Sequence, residues 1–418
     1  MKKLIGTAML AALLATSAFA EVSFGAWLRT MIVPVSGDGD DVKAFMANSW
    51  WNNLRPARLD ITGVTEDERA GMRLQFFPDD LKSDGMIGDN AYMWVKPWDW
   101  LRVSAGKMGD NDTGLRGDFA YGSWQWVRPG NWIRGDEGLT FSDIGGIGAR
   151  VELLPVEGLK IVGFIPYPAS AEKAYKVYEG TAIAAAYSID GIGRIKAQWL
   201  GKFAKNEAKD KYTGDIEVAF DLTAVENLYL TVGAKIGIMD SDYSVDGSKA
   251  TYKLKDPELD ANGKLKAPEY EEDAEAGDPS LAERAVVALG VSYNVLENFK
   301  ISVSGGVAFY NKPSGVDADP RWNIGLGLDY GLTDALTLTA DIRYLSKLNY
   351  NSDAEAAGIK DGKDSLSFLI GLDYACSSNA IVGIGFQGAT NGNGFAGGNL
   401  ANGDKFAWAV PLKVQLSL

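Results

Sequence analysis

The side chains of this chain that could do chemistry are its charged and aromatic groups. Its 418 residues include no His and a single Cys. Without imidazole there is no Ser–His or Cys–His pair for nucleophilic catalysis, and a zinc site built from the usual ligands is excluded. The sequence therefore disfavours an enzyme and predicts no metal and no other cofactor.

One segment, at about 109–144, concentrates acidic and aromatic residues. Its acids are Asp110, Asp112, Asp118, Asp136, Glu137 and Asp143, and its largest rings include Tyr121, Trp124, Trp126 and Trp132. So many exposed rings would be costly in water, so the segment is expected to fold against the rest of the protein. A cap on a rim or a surface for a partner is the alternative placement.

A second set of charges alternates with apolar residues along predicted strands. The bases are Arg29, Arg58, Arg73, Arg102, Arg150, Lys160, Arg194, Lys196, Lys202, Lys235, Lys300, Arg343 and Lys413. The acids at equivalent positions are Asp60, Glu152, Asp215, Glu217, Asp221, Asp329, Asp341 and Asp373. Because a period of two places these charges on one face of a sheet, that face is predicted to be basic and the other apolar.

A repeated turn motif indicates how these strands are connected. An acid, one spacer, an apolar residue, any residue and a second apolar residue occur at 99–103, 157–161, 226–230, 297–301 and 334–338. In each copy an alternating run ends before the acid and another begins after the spacer, as at the tip of a hairpin. Short turns at one end and long polar loops at the other predict a transmembrane antiparallel up-and-down β-barrel.

The alternating runs predict 18 strands, joined by eight short turns and nine long loops. They lie at 22–33, 57–64, 69–77, 90–97, 100–108, 147–154, 159–166, 181–189, 192–203, 213–222, 228–239, 284–295, 299–310, 322–332, 336–346, 365–375, 380–389 and 405–417. The runs at 90–97 and 181–189 alternate poorly, so 16 strands remain an alternative. A water-soluble sandwich would alternate in the same way, but the aromatic residues at strand ends favour a barrel; Trp100, Tyr187, Tyr293, Tyr330 and Tyr374 would form the girdle on the turn side.

The N-terminus predicts export. Lys2 and Lys3 precede an apolar run at 4–18, and Ala18-Phe19-Ala20 is a small-any-small cleavage signature. Residues 1–20 are therefore predicted to be a signal peptide and 21–418 a single barrel, integral to the outer membrane. The net charge of −14 makes nucleic acid an improbable partner. The acidic stretch at about 240–283 is expected to be a solvated external loop.

The chain resembles a general bacterial porin. The resemblance rests on the alternating strand 101–107, which ends in Gly106-Lys107, and on the terminal strand, with Trp408, Val410, Leu412 and Val414 on one face. It implies passive diffusion of ions and small hydrophilic solutes, with 109–144 as a third external loop that folds inward and narrows the pore. It also implies outer-membrane lipid, the barrel-assembly machinery and a homotrimer as partners. The final residue, Leu418, departs from the aromatic residue usual in the family.

These expectations predict a pore constriction with an electric field across it. The acids of 109–144 would face Arg29, Arg58, Arg73, Arg102, Arg150, Arg194 and Lys196 on the wall. A transverse field of this kind orients dipolar solutes and penalises apolar ones. Two alternatives stay open: a sugar-selective porin in which Tyr121, Trp124, Trp126 and Trp132 form an aromatic path, and a surface adhesin or structural barrel whose loops bind a host or matrix partner.

Overall fold

The structure is a computed structural model, and it describes most of the strands and the short turns between them. The described residues are 21–38, 41–47, 57–76, 87–109, 144–167, 177–205, 210–238, 243–245, 251–254, 270–274, 279–281, 283–311, 315–347, 349, 364–390 and 406–417. None of the helices among these residues is long and apolar enough to cross a bilayer.

The described chain forms 23 strands. They are β1 Glu21–Asp38, β2 Asp41–Ala47, β3 Ala57–Val64, β4 Ala70–Phe76, β5 Ile87–Trp98, β6 Leu101–Met108, β7 Gly146–Val156, β8 Leu159–Pro166, β9 Ala182–Ile189, β10 Gly193–Lys205, β11 Asp210–Leu222, β12 Leu228–Ile238, β13 Tyr243–Val245, β14 Thr251–Leu254, β15 Tyr270–Ala274, β16 Pro279–Leu281, β17 Glu283–Leu296, β18 Phe299–Tyr310, β19 Arg321–Gly331, β20 Leu336–Leu345, β21 Ser365–Ser377, β22 Ala380–Ala389 and β23 Ala407–Ser417.

Antiparallel pairing closes the sheet into a barrel of 18 strand positions. β1 pairs with β23 along one edge, from Trp27 opposite Ser417 to Asp38 opposite Ala407. Its other edge is shared, because β3 pairs with its first half and β2 with its second half. β2 and β3 together therefore occupy one position, and the sheet closes on itself. The predicted fold class is confirmed, with 18 strands rather than 16.

The repeated motif does form the tips of the tight hairpins. Turns occupy its acid and spacer positions in all five copies. Two spacers, Gly158 and Asn227, have positive φ angles of 79° and 62°. Gly and Asn tolerate this left-handed conformation better than other residues, which explains why they occur at these positions. The turns thus fix the register of the strands that follow them.

The turn between β3 and β4 is held by Asp67, whose carboxylate accepts hydrogen bonds from the Thr65 hydroxyl (2.7 Å) and the Arg69 backbone N–H (3.1 Å). The Thr65 bond, and then the Arg69 bond, lower the pKa of Asp67 below its usual value. A lowered pKa means that the ionised carboxylate stabilises the folded turn above the unfolded pKa, and that this stabilisation is lost as pH falls through the folded pKa.

Asp67→Asn is therefore expected to lower the urea midpoint of the refolded barrel at pH 7. The difference from the parent protein should shrink as the pH falls below about 4, the range in which an unperturbed Asp becomes protonated. Urea titrations of both proteins at pH 7 and at a pH below about 4 measure the difference in midpoint. An equal difference at both pH values would show that ionisation of Asp67 does not contribute.

The outward face of the barrel is apolar, as the alternation predicts. Ile324 and Leu326 on β19, for example, are about half exposed (51% and 49%). The five aromatic residues predicted for the turn-side girdle are all on this face and exposed. Trp98 and Trp100 stack at the turn between β5 and β6, with ring centroids 5.4 Å apart. Rings at this level are typical of residues at a membrane interface.

Two parts of the loops differ from the expectation. β2 was not predicted, because its run of seven residues is too short to show clear alternation. The acidic stretch at 240–283 contains two short ladders, β13 with β16 and β14 with β15. It therefore contains part of an extended hairpin, which the prediction of a solvated external loop did not include.

Candidate functional site

The opposite face of the barrel strands, which lines the lumen, carries the charges. Six of the predicted wall bases are on it: Arg58, Arg73, Arg102, Arg150, Arg194 and Lys196. With Lys160 they lie on β3, β4, β6, β7, β8 and β10, and we refer to these seven residues as the basic arc. For Arg29 the structure describes only the backbone, opposite Gln415 on β23. The acids and aromatic residues predicted for the third loop, at 110–143, lie outside the described residues.

The centre of the basic arc is a group of three bases around one acid. The Glu152 carboxylate is 3.0 Å from Arg150 Nε, 3.1 Å from Lys160 Nζ and 3.9 Å from Arg102 Nη1. Arg150 and Glu152 are almost completely buried (0% and 2% exposed). One carboxylate therefore offsets only one of three positive charges in a part of the wall where screening by water is weak.

Two aromatic rings support these bases. The Arg102 guanidinium carbon is 4.8 Å from the centroid of the Trp94 ring, and that of Arg150 is 5.6 Å from the Tyr92 ring. Lys96 Nζ is 5.2 Å from the same Trp94 ring. A ring face attracts a cation through its quadrupole. The Trp94 and Tyr92 rings therefore help to stabilise Arg102 and Arg150, which share the carboxylate of Glu152 with Lys160.

The two ends of the basic arc have their own acids. Asp60 forms ion pairs with Arg58 (2.6 Å) and Arg73 (3.5 Å) and accepts a hydrogen bond from Gln75 (2.6 Å). Gln75 in turn accepts a hydrogen bond from Asn90.

At the other end, Asp221 is 2.9 Å from Lys196 and 3.3 Å from Arg194 and accepts a hydrogen bond from Thr231. Each acid of the arc is thus shared by at least two bases.

The remaining wall is closer to neutral. Lys300 pairs with Asp329 (3.3 Å), and Lys413 pairs with Asp373 (2.8 Å). Arg343 pairs with Asp341 within β20. Each of these ion pairs joins one base to one acid. Positive charge in the described part of the lumen is therefore concentrated on the basic arc.

An apolar patch interrupts the charged lumen beside the basic arc, and the sequence did not predict it. Its buried members are Tyr92, Met108, Ile144, Val162, Phe164, Ala182, Ala184 and Ala186. The patch includes lumen-facing residues of β5 and β9, the two strands whose sequences alternate poorly. Poor alternation was the available signal, because a strand with apolar residues on both faces loses its period of two.

The patch meets both ends of the segment predicted to be the third loop. Met108 directly precedes that segment and Ile144 is its last residue, and both are buried in the patch. The backbone N–H of Gly109 donates a hydrogen bond to Asn90 Oδ1 (2.7 Å), which joins this end to the hydrogen bonds around Asp60. The segment therefore leaves the wall, and returns to it, on the lumen side.

The described side chains do not form a metal centre. Among those residues, no group of three or more His, Cys, Asp or Glu side chains could hold a metal ion. The arrangement can instead act on solutes electrostatically, because it places an unbalanced array of cations along a lumen.

Comparison with known proteins identifies a family. A family model described as Gram-negative porin matches residues 6–350 of this chain. A search of curated proteins finds no significant match.

Several solved structures have a similar course of the chain at low identity. OmpT of Vibrio cholerae, in a form lacking loop L8, is 13% identical with a TM-score of 0.49, over 95% of this chain and 99% of that chain. An anion-selective porin from Comamonas acidovorans is 11% identical with a TM-score of 0.48, over 95% and 99%. A triple mutant of a Rhodopseudomonas blastica porin is 14% identical with a TM-score of 0.47, over 95% and 100%.

Proposed function

The chain belongs to the Gram-negative porin family, and from this premise we propose that its outer-membrane channel is narrowed between the basic arc and the segment at 109–144. A barrel of 18 strands has a lumen too wide for its wall side chains to fill, so ions and small hydrophilic solutes can diffuse through it. The observation that carries the proposal is the concentration of bases on one arc, with three of them around Glu152.

The apolar patch supports an inward position for the third loop. An apolar surface facing a water-filled lumen would be unfavourable, yet Val162, Phe164 and Ala184 are almost completely buried. The segment predicted to be this loop begins and ends in contact with the patch and contains several aromatic rings. Its rings would cover the patch, and its acids would then face the basic arc across the pore.

Ala184→Gln tests this placement. A polar side chain in the covered patch should displace the third loop from the wall, because burying an unpaired amide is costly. The single-channel conductance in a planar bilayer is therefore expected to rise, by roughly 1.5-fold or more if the loop is the main obstruction.

The matched control is Ser304→Gln, which adds the same amide to a buried lumen position on β18, away from the patch. There the added volume should leave the conductance unchanged or lower it slightly. A rise in both variants, or in neither, would contradict a loop seated on the patch.

A liposome-swelling assay tests the diffusion function itself. Vesicles containing the refolded protein should swell in isotonic solutions of small neutral sugars, at rates that fall steeply as the sugar becomes larger. Swelling no faster than in empty vesicles would contradict a water-filled channel.

The remaining expectations belong to the same proposal. We infer that the protein acts without a cofactor and not as an enzyme, since the chain has no His. Removal of residues 1–20, a single barrel over 21–418, insertion by the assembly machinery and a homotrimer follow from the N-terminal pattern and from family membership. Among the described residues, no contact favours a sugar path or an adhesin over plain diffusion.

A further inference from the structure

The turn end of the barrel carries an almost unbroken ring of carboxylates. Seven of the eight short turns contain at least one acid, and each of these acids is exposed. They are Glu66, Asp67, Glu68, Asp99, Glu157, Asp190, Glu226, Glu297 and Asp334. Arg69 is the one base in these turns, and it pairs with Asp99 at 3.2 Å. We call these nine carboxylates the rim ring.

A tier of lumen-facing bases lies directly inside the rim ring. In three of the five motif copies the residue three positions after the tip acid is a base: Arg102, Lys160 and Lys300. Arg194 has a similar place, four residues after Asp190. These bases lie about 10 Å from the tips, since a strand rises about 3.4 Å per residue. Acids at this level offset part of that charge: Glu152 is shared by Arg102, Arg150 and Lys160, Asp221 by Arg194 and Lys196, and Asp329 pairs with Lys300. These six bases outnumber the three acids, so the wall behind the negative rim keeps a net positive charge.

The rim ring is not arranged as a cation-binding site. Adjacent short turns are two strands apart, which separates them by roughly 12 Å around the barrel for ordinary strand spacing and tilt. Carboxylates on different turns are therefore too far apart to share one ion. Their joint effect is on the field at the channel mouth.

We propose that the rim ring and the bases inside it form a two-tier collar that makes the channel rectify ionic current. The inference rests on the proposed function, because it needs an open channel. The rim admits cations preferentially, and the wall behind it admits anions. When the turn side is positive, cations from the rim and anions from the lumen are both driven to the junction and raise its conductance. The opposite polarity depletes the junction of both ions.

Salt concentration separates this effect from one of shape. The Debye length is about 30 Å at 0.01 M salt, longer than the roughly 17 Å radius expected for an 18-strand barrel, but about 3 Å at 1 M. Fixed charges on the rim can therefore influence the whole mouth in dilute salt and almost none of it in concentrated salt. Asymmetry caused by pore shape alone would not follow this dependence.

The test is the current–voltage curve of single channels of the refolded protein in KCl. The turn variant replaces four rim acids without altering their shape: Glu157→Gln, Glu226→Gln, Glu297→Gln and Asp334→Asn. The control replaces acids at the long-loop end, Asp317→Asn and Asp364→Asn. The orientation of each channel is determined with a cysteine on a turn, Ala224→Cys, in a chain whose own cysteine is removed by Cys376→Ser. The turn side faces the chamber in which an impermeant thiol reagent changes the current.

Near 0.01 M KCl, the parent protein and the control should pass roughly 1.5- to 2-fold more current when the turn side is positive than when it is negative. At 1 M KCl, the currents in the two directions should be equal. The turn variant, which keeps five of the nine rim carboxylates, should show a clearly smaller ratio at low salt and keep its conductance at 1 M. Symmetric currents in the parent, the opposite polarity, or rectification that is undiminished in the turn variant would overturn the collar. Failure of all folded proteins to conduct would overturn the proposed function itself.

Discussion

Gly148→Ala is expected to destabilise the folded barrel clearly. Gly148 lies on the lumen face of β7, where the Phe164 ring of β8 lies over it. An added methyl carbon would be 2.7 Å from Phe164 Cζ and would also collide with the carbonyl oxygen of Ile165. Because that oxygen belongs to the backbone of the paired strand, β7 and β8 would have to separate locally. Overpacking of this kind costs about 1–3 kcal/mol.

Gly163→Ala in the same hairpin is the matched control. Gly163 lies on the outward face of β8, and a methyl carbon there would have no neighbouring atom within 4 Å. Its effect on the free energy of unfolding should stay within about 0.5 kcal/mol. The folded fraction on unheated gels and urea titration compare the two variants. Equal stabilities would contradict the packing of Phe164 on Gly148.

Glu152→Gln is expected to destabilise the barrel and to shift its ion preference toward anions. The change keeps the shape of the side chain but removes the carboxylate that, among the described residues, contacts Arg102, Arg150 and Lys160. Arg150 is fully buried, so its charge would lose its closest carboxylate in a region of weak screening. Loss of one partner from a buried ion pair costs about 3–5 kcal/mol. Urea titration and the reversal potential in a salt gradient measure the two effects.

The comparison variant is Asp329→Asn on the more nearly neutral wall. Asp329 pairs with Lys300 at 3.3 Å, and both side chains retain some exposure (15% and 24%). Removal of this carboxylate should therefore cost clearly less stability than removal of Glu152, although the charge change is the same. A larger loss for Asp329→Asn would show that the bases around Glu152 do not depend on it.

The parts of the fold that local sequence determines were predictable. Turn tips such as Glu157-Gly158 are encoded within a few residues, and β3, β8 and β18 have the predicted bounds. The orientation of Arg102 and Arg194 toward the lumen follows from alternation alone. β2 escaped prediction because it is short and pairs with only half of β1.

The arrangement of the site depends on register between strands, which a single sequence does not display. Glu152 contacts Arg102 and Lys160 because β6, β7 and β8 align those three positions. The contact between the Arg102 guanidinium and the Trp94 ring also depends on the register between β5 and β6. The apolar patch was hidden for a different reason: β9 has small apolar residues on its lumen face, so its alternation is weak.

The central claim is that this barrel conducts ions past a basic wall, and single-channel recording in a planar bilayer under a salt gradient tests it most directly. The refolded protein should give stable open steps, and Arg102→Gln with Arg194→Gln should move the reversal potential toward cation preference without abolishing the steps. A protein that inserts as a folded barrel but shows no steps would contradict the account. An unchanged reversal potential in the double variant would contradict the role of the basic arc.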